Sequence, residues 1–141
     1  MMDAGQLHSQ LAQFIGCETP TQHALCPNMF MSEGVVFLRE HADCFWLLDA
    51  IASHYMANKD LQKERKRDRD FDYMHFWVLK QDGNAAILTC RKDRGMPDIV
   101  TQQFSVTDFP FPPDDEFKLF AGLAAIEGVE RPTLVYLPSE Y

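Results

Sequence analysis

The tetrapeptide Gln81-Asp82-Gly83-Asn84 separates two runs of strand-forming residues, Phe71 to Lys80 and Ala85 to Arg91, and this constrains the fold more than any other local feature. Asp-Gly at the centre of a short connection supplies the positive backbone angles of a tight hairpin turn. Phe71, Tyr73, Phe76, Trp77 and Val78 in turn suit a pleated, half-buried surface. A second turn through Arg94-Gly95-Met96-Pro97 leads to a third strand, Ile99 to Val106, so the three strands form an antiparallel meander.

Helices are expected upstream. Leu7, Leu11, Phe14 and Ile15 recur at helical spacing and Gly16 follows, which predicts an amphipathic helix from about Ala4 to Ile15. Cys17 to Met31 contains Pro20 and Pro27 with little periodicity and reads as a loop, with one short extended piece around Ala24 to Cys26. Ser32 before Glu33 has the character of a helix cap. Val35, Val36 and Leu38, then Phe45, Leu48 and Ala52, give one or two short buried helices broken near Ala42 to Cys44.

Downstream, Pro110, Pro112 and Pro113 stop the sheet. Asp114-Asp115-Glu116 put acids where the first turn of a helix favours them, and that helix would turn Phe117, Phe120, Leu123 and Ala124 inward. Thr133 to Leu137 has strand composition. A chain of 141 residues that is 46% hydrophobic can fill one core. The expectation is one α+β domain over residues 1–141, with N-terminal helices on one face of a three- to four-stranded antiparallel meander and a further helix before the last strand.

Charge is unevenly spread. The formal net charge is −8, yet Lys59 to Asp72 holds six basic and five acidic residues, leaving seven basic against sixteen acidic elsewhere. An acidic body therefore carries a mixed-charge insertion at about residues 58–70, with Leu61 as its lone apolar side chain between Lys59 and Asp70. It reads as an exposed helix or a mobile loop. Its cations Lys63, Arg65, Lys66, Arg67 and Arg69 are candidates for partner contact, weakened by Glu64, Asp68 and Asp70 among them. Phe109 and Phe111, between prolines, either anchor an interface or plug the end of the sheet. Asp114, Asp115 and Glu116 are candidates for a negative patch.

Catalytic and metal chemistry have little support. Cys17, His23, Cys26, His41 and Cys44 are zinc-type ligands, but nine residues separate Cys17 from Cys26, where structural sites usually begin with a close cysteine pair. Cys44 with His41, His54, Asp43 and Asp49 lacks a glycine-rich elbow or any comparable motif. No catalytic residue, metal ligand or cofactor is assigned, and the four cysteines read as free core thiols. Phe71, Tyr73, Phe76 and Trp77 have acidic neighbours, so core packing suits them better than base stacking.

The segments Glu33 to Leu38, Phe45-Trp46-Leu47-Leu48-Asp49-Ala50-Ile51-Ala52, Thr107-Asp108-Phe109-Pro110 and Leu137-Pro138-Ser139-Glu140-Tyr141 carry a further signal. Their order, with Leu88-Thr89-Cys90 in the hairpin, resembles a family of small uncharacterised proteins encoded on bacterial phages, plasmids and other mobile elements. The resemblance spans nearly the whole chain and implies an origin without implying a reaction. It suggests a non-enzymatic binding protein that inhibits a host defence complex, such as a CRISPR effector subunit, by protein contact. The start of the chain lacks signal-peptide character and no run is apolar enough to span a membrane, so the bacterial cytoplasm is the expected setting. Net negative charge argues against bare nucleic acid as partner, and a homodimer stays open. The alternatives are a nucleic-acid accessory protein using the basic insertion, or a small zinc protein.

Overall fold

The expected meander forms the centre of a wider sheet. The computed structural model describes residues 2–105 and 107–141. Its strands are β1 (Thr21–Gln22), β2 (Met29–Met31), β3 (His75–Asp82), β4 (Ala85–Arg91), β5 (Asp98–Phe104), β6 (Glu116–Leu123) and β7 (Thr133–Tyr136). They lie in the order β1-β2-β7-β6-β3-β4-β5. All neighbours are antiparallel except β2 and β7, which run parallel. The helices are α1 (Ala4–Leu11), α2 (Glu33–His41), α3 (Phe45–Ala57), α4 (Lys59–Arg67) and α5 (Arg69–Tyr73). The fold is thus mixed α+β, with seven strands among the described residues where three or four were expected.

The largest correction lies after the proline cluster, where β6 stands in place of the expected helix. Phe117, Leu119 and Ala121 are buried while Glu116, Lys118 and Phe120 are half-exposed, a two-residue alternation that only a strand can satisfy. Asp114 and Asp115 serve a turn. The Asp115 amide donates to the Pro112 carbonyl at 2.9 Å, Asp115 has φ of 61°, and Asp114 Oδ1 accepts from the Glu116 amide at 3.4 Å. This tight reversal launches an extended chain.

Other boundaries shift for local reasons. Helix α1 stops at Leu11, and Ile15 is 82% exposed, outside the apolar stripe. The extended piece expected near Ala24 to Cys26 is displaced to β1 and β2; β2 is only three residues long and buried throughout, so it shows no alternation. The strand expected from Phe71 begins at His75 because Asp68 caps α5, accepting from the amides of Asp70 and Phe71. Asp82 pairs with Ala85, so Gly83 and Asn84 form the hairpin loop, one position beyond the expected Asp-Gly centre. The third strand ends at Phe104; its expected last residue, Val106, lies outside the described residues.

The charged insertion is helical as α4 and α5, and it does have a buried side: Leu61 is fully enclosed. Leu7 and Leu11 of α1, Val35 and Leu38 of α2, Leu48 and Ile51 of α3, Leu61 of α4 and Phe71 of α5 join one core. Trp77, Leu79, Leu88, Leu119 and Val135 meet them from one face of the sheet. Phe76 and Phe120 alternate onto the other face, where their rings meet at 4.8 Å, tilted 46° to each other. Among the described residues no helix is long and apolar enough to cross a membrane.

Distant motifs are joined in this frame. Glu140 is buried and caps α2: its Oε1 accepts from Ser32 Oγ at 2.5 Å and the Leu137 amide at 2.9 Å, and its Oε2 accepts from the Gly34 amide at 3.2 Å. A Cβ on Gly34 would come within 2.5 Å of Leu137 Cδ1 and 2.8 Å of Glu140 Oε1, so any larger residue there would displace these side chains of the C-terminal segment. Trp46 meets Phe109 edge-on at 6.5 Å, and the Pro110 carbonyl accepts from His8 Nε2 at 2.7 Å. Phe109 is buried and Phe111 half-buried against the core, so they plug the end of the sheet.

Candidate functional site

The charged insertion becomes a site through its capping. Asn58 Oδ1 accepts from the Leu61 amide at 3.1 Å, and Leu61 pins α4 to the core. Gln62, Arg65 and Lys66 then share one flank of α4, and Arg69, beyond the extended residue Asp68, stands in the first turn of α5. They face the loop entering β2, the end of α3 with Tyr55 and Met56, and the connection between β6 and β7 with Arg131. The walls enclose a cleft of about 970 Å³.

Among the described residues Arg65, Lys66, Arg69 and Arg131 line this cleft against a single carboxylate, Asp72. Asp72 is buried and serves two of them: Oδ1 accepts from Arg65 Nε at 2.7 Å and Oδ2 from Arg131 Nη2 at 2.6 Å. That bridge holds Arg131, from the connection between β6 and β7, against the cleft. The local balance is +3 on a chain whose total is −8. Each bridge uses one guanidinium nitrogen, leaving further donors of Arg65 and Arg131 for an anion. The Arg65 guanidinium stands 5.1 Å over the Tyr55 ring and that of Arg69 lies 5.6 Å over Tyr73.

Beneath the cleft runs a buried chain of hydrogen bonds. Trp77 Nε1 donates to Tyr55 Oη at 2.7 Å, Tyr55 Oη donates to His75 Nε2 at 2.7 Å, and His75 Nδ1 donates to the Phe71 carbonyl at 2.8 Å. An indole N–H can only donate and a carbonyl can only accept, which fixes the two end links and puts a proton on His75 Nδ1; with the ring kept neutral by burial, Nε2 is the acceptor of the middle link. Burial, helped by the Arg65 charge, lowers the His75 pKa from 6.5 to about 4. Burial also raises the Tyr55 hydroxyl well above its ordinary value.

The candidates read from the sequence separate. Arg65, Lys66 and Arg69 converge on the cleft. Lys63 is exposed on α4 and does not line it, and Arg67 pairs with Glu64. Phe109 and Phe111 belong to the core, and Asp114, Asp115 and Glu116 belong to the turn into β6. Arg131, Tyr55, Gln62 and Asp72 were not singled out, and Tyr73, expected in the core of a strand, instead ends α5 with 51% of its surface exposed. The spacing of Gln62 with Arg65, Lys66 and Arg69 carries a helical signal, whereas nothing local marks Arg131.

The zinc-type and nucleophilic sets do not assemble. Among the described residues no group of three or more histidine, cysteine or acidic side chains is placed to hold a metal. His23 Nε2 donates to Asp49 Oδ1 at 2.8 Å while its Nδ1 accepts from the Leu25 and Cys26 amides, so it organises the loop before β2. His41 Nδ1 donates to the Phe37 carbonyl at 3.0 Å, and His54 Nε2 donates to Gln102 Oε1 at 2.7 Å. Cys44 is buried with its Sγ toward the Leu38 carbonyl, and burial pushes its thiol up to about 12.

Residues 5–141 match a sequence family described as a family of unknown function, DUF6876. The chain belongs to that family. No curated protein and no solved structure matches it. The match takes in both the cleft and the motifs that Glu140, Asp49 and Phe109 bring together.

Proposed function

We propose that this member of DUF6876 is a non-enzymatic binding protein whose recognition site is the cationic cleft and whose ligand presents an anionic group to it. The observation that carries this reading is the gathering of Arg65, Lys66, Arg69 and Arg131 around one carboxylate on an otherwise acidic protein. Arginine and lysine side chains hold charge at neutral pH and do not shuttle protons, so this lining suits binding better than acid–base chemistry.

The test is thermal unfolding in low salt with tripolyphosphate added. The midpoint of the wild type is expected to rise with ligand concentration, by linkage to the folded state. Raising the salt should erase the effect, as should Lys66→Glu combined with Arg69→Glu. A wild-type midpoint indifferent to tripolyphosphate and to other small anions would overturn the reading.

A second reading is supported by the acidic body, which carries sixteen acids against seven bases outside Lys59 to Asp72, together with the mobile-element resemblance. On this reading the protein inhibits a host defence complex, such as a CRISPR effector subunit, by protein contact in the bacterial cytoplasm. Expression in a strain with active CRISPR interference is then expected to restore transformation by a targeted plasmid. Unchanged interference across effector types would remove that reading and leave the cleft untouched.

A further inference from the structure

We infer that the ligand of the cleft is a nucleoside phosphate, with its phosphates on the cations and its base against Tyr73 and Met56. This rests on the reading of the cleft as an anion site. Of the seven large apolar side chains exposed among the described residues, two, Tyr73 at 51% and Met56 at 45%, line the cleft together. Bare phosphate has no use for them. A planar base does, because stacking on an aromatic face and contact with a thioether require no particular hydrogen-bond pattern.

Two further features suit the same class. The Arg69 guanidinium beside the Tyr73 ring puts a cation next to an aromatic surface, the juxtaposition that a phosphate attached to a base needs. Gln62 Nε2 donates to the carbonyls of Tyr55 at 3.1 Å and Met56 at 3.0 Å, which orients its amide and turns Oε1 away from them as an acceptor for a base amino group. A cleft of about 970 Å³ accommodates a mononucleotide or dinucleotide. A longer strand would extend beyond the cleft onto a chain whose net charge is −8, which disfavours its additional phosphates and so favours a compact ligand.

The experiment is isothermal titration of the full chain in magnesium-free, low-salt buffer. The probes are ATP, GTP, CTP and UTP, each compared with tripolyphosphate, adenosine and a short single-stranded oligonucleotide. At least one nucleoside triphosphate is expected to bind about tenfold or more tightly than tripolyphosphate, the scale of one stacked base. Tyr73→Ala should remove that advantage, weakening nucleotide binding more than tripolyphosphate binding. Lys66→Ala with Arg69→Ala should weaken both by about tenfold or more. Equal binding of nucleotides and tripolyphosphate, or an oligonucleotide binding more tightly than every mononucleotide, would overturn the nucleoside assignment and leave the anion site standing. Absence of binding by tripolyphosphate and all nucleotides would defeat both.

Discussion

Tyr55 Oη donates to His75 Nε2 at 2.7 Å and accepts from Trp77 Nε1 at 2.7 Å, so one hydroxyl from α3 satisfies two polar groups of β3 directly beneath the cleft. Tyr55→Phe removes that oxygen without emptying the space. It leaves an indole donor and an imidazole acceptor without it, and a buried unsatisfied group costs about 1–3 kcal/mol. The variant is expected to lose about 2–4 kcal/mol in urea unfolding, and a loss under about 0.5 kcal/mol would show the chain to be energetically idle.

His75 makes stability depend on pH. Its folded pKa, depressed from 6.5 to about 4 chiefly by burial, lies below the unfolded value, so the unfolded chain binds more protons between these limits. The contribution is therefore complete above pH 6.5 and is lost as pH falls toward 4, at about 1.4 kcal/mol per unit within the window. Urea midpoints measured at pH 7, 6 and 5, with the His75 ring followed by NMR, test this. Titration of the folded-state ring at its ordinary value would contradict it.

The buried carboxylate of Glu140 accepts from the Ser32 hydroxyl, from the Gly34 amide at the start of α2 and from the Leu137 amide of its own C-terminal segment. Glu140→Ala is expected to cost about 2–4 kcal/mol, and Glu140→Gln less because it retains one acceptor. Combining Glu140→Ala with Ser32→Ala in a double-mutant cycle should give a coupling of about 1 kcal/mol or more; additive losses would mean that the cap is not shared.

Gly122 lies in β6 where the carbonyl of Tyr73 presses against the strand, and a Cβ there would overlap that backbone oxygen. Backbone cannot swing aside as a long side chain can. Gly122→Ala is expected to destabilise by about 3 kcal/mol or more and to weaken nucleotide binding by shifting Tyr73. Retention of wild-type stability would show that α5 can slide.

Asp72 restrains two cleft arginines. Asp72→Asn keeps the shape and removes the charge, so stability is expected to fall by about 2–3 kcal/mol, discounted for the exposure of Arg131, while affinity for tripolyphosphate rises several-fold. Calorimetry of the variant, compared with its unfolding curve, separates the two effects. A weakened affinity would mean that Asp72 holds the arginines in position more than it neutralises them.

Local chemistry determined much of this protein from sequence alone. The Ser32 cap, the break between Ala42 and Cys44, the meander and the last strand follow from capping side chains, turn residues and alternation within a few positions, and each appears where those signals lie. Tertiary structure decided the rest. The acids before β6 look like a helix start until the alternation of Phe117, Leu119 and Ala121 meets a sheet that can bury one side, and β2 is a strand only because β7 lies beside it. The candidate site divides in the same way. Arg65 and Lys66 share a flank of α4 and Arg69 follows within three residues in α5, a closeness that sequence encodes, whereas Arg131 reaches them through Asp72 across 59 residues. Pairing of that kind depends on distance in space, to which local propensity and periodicity are blind.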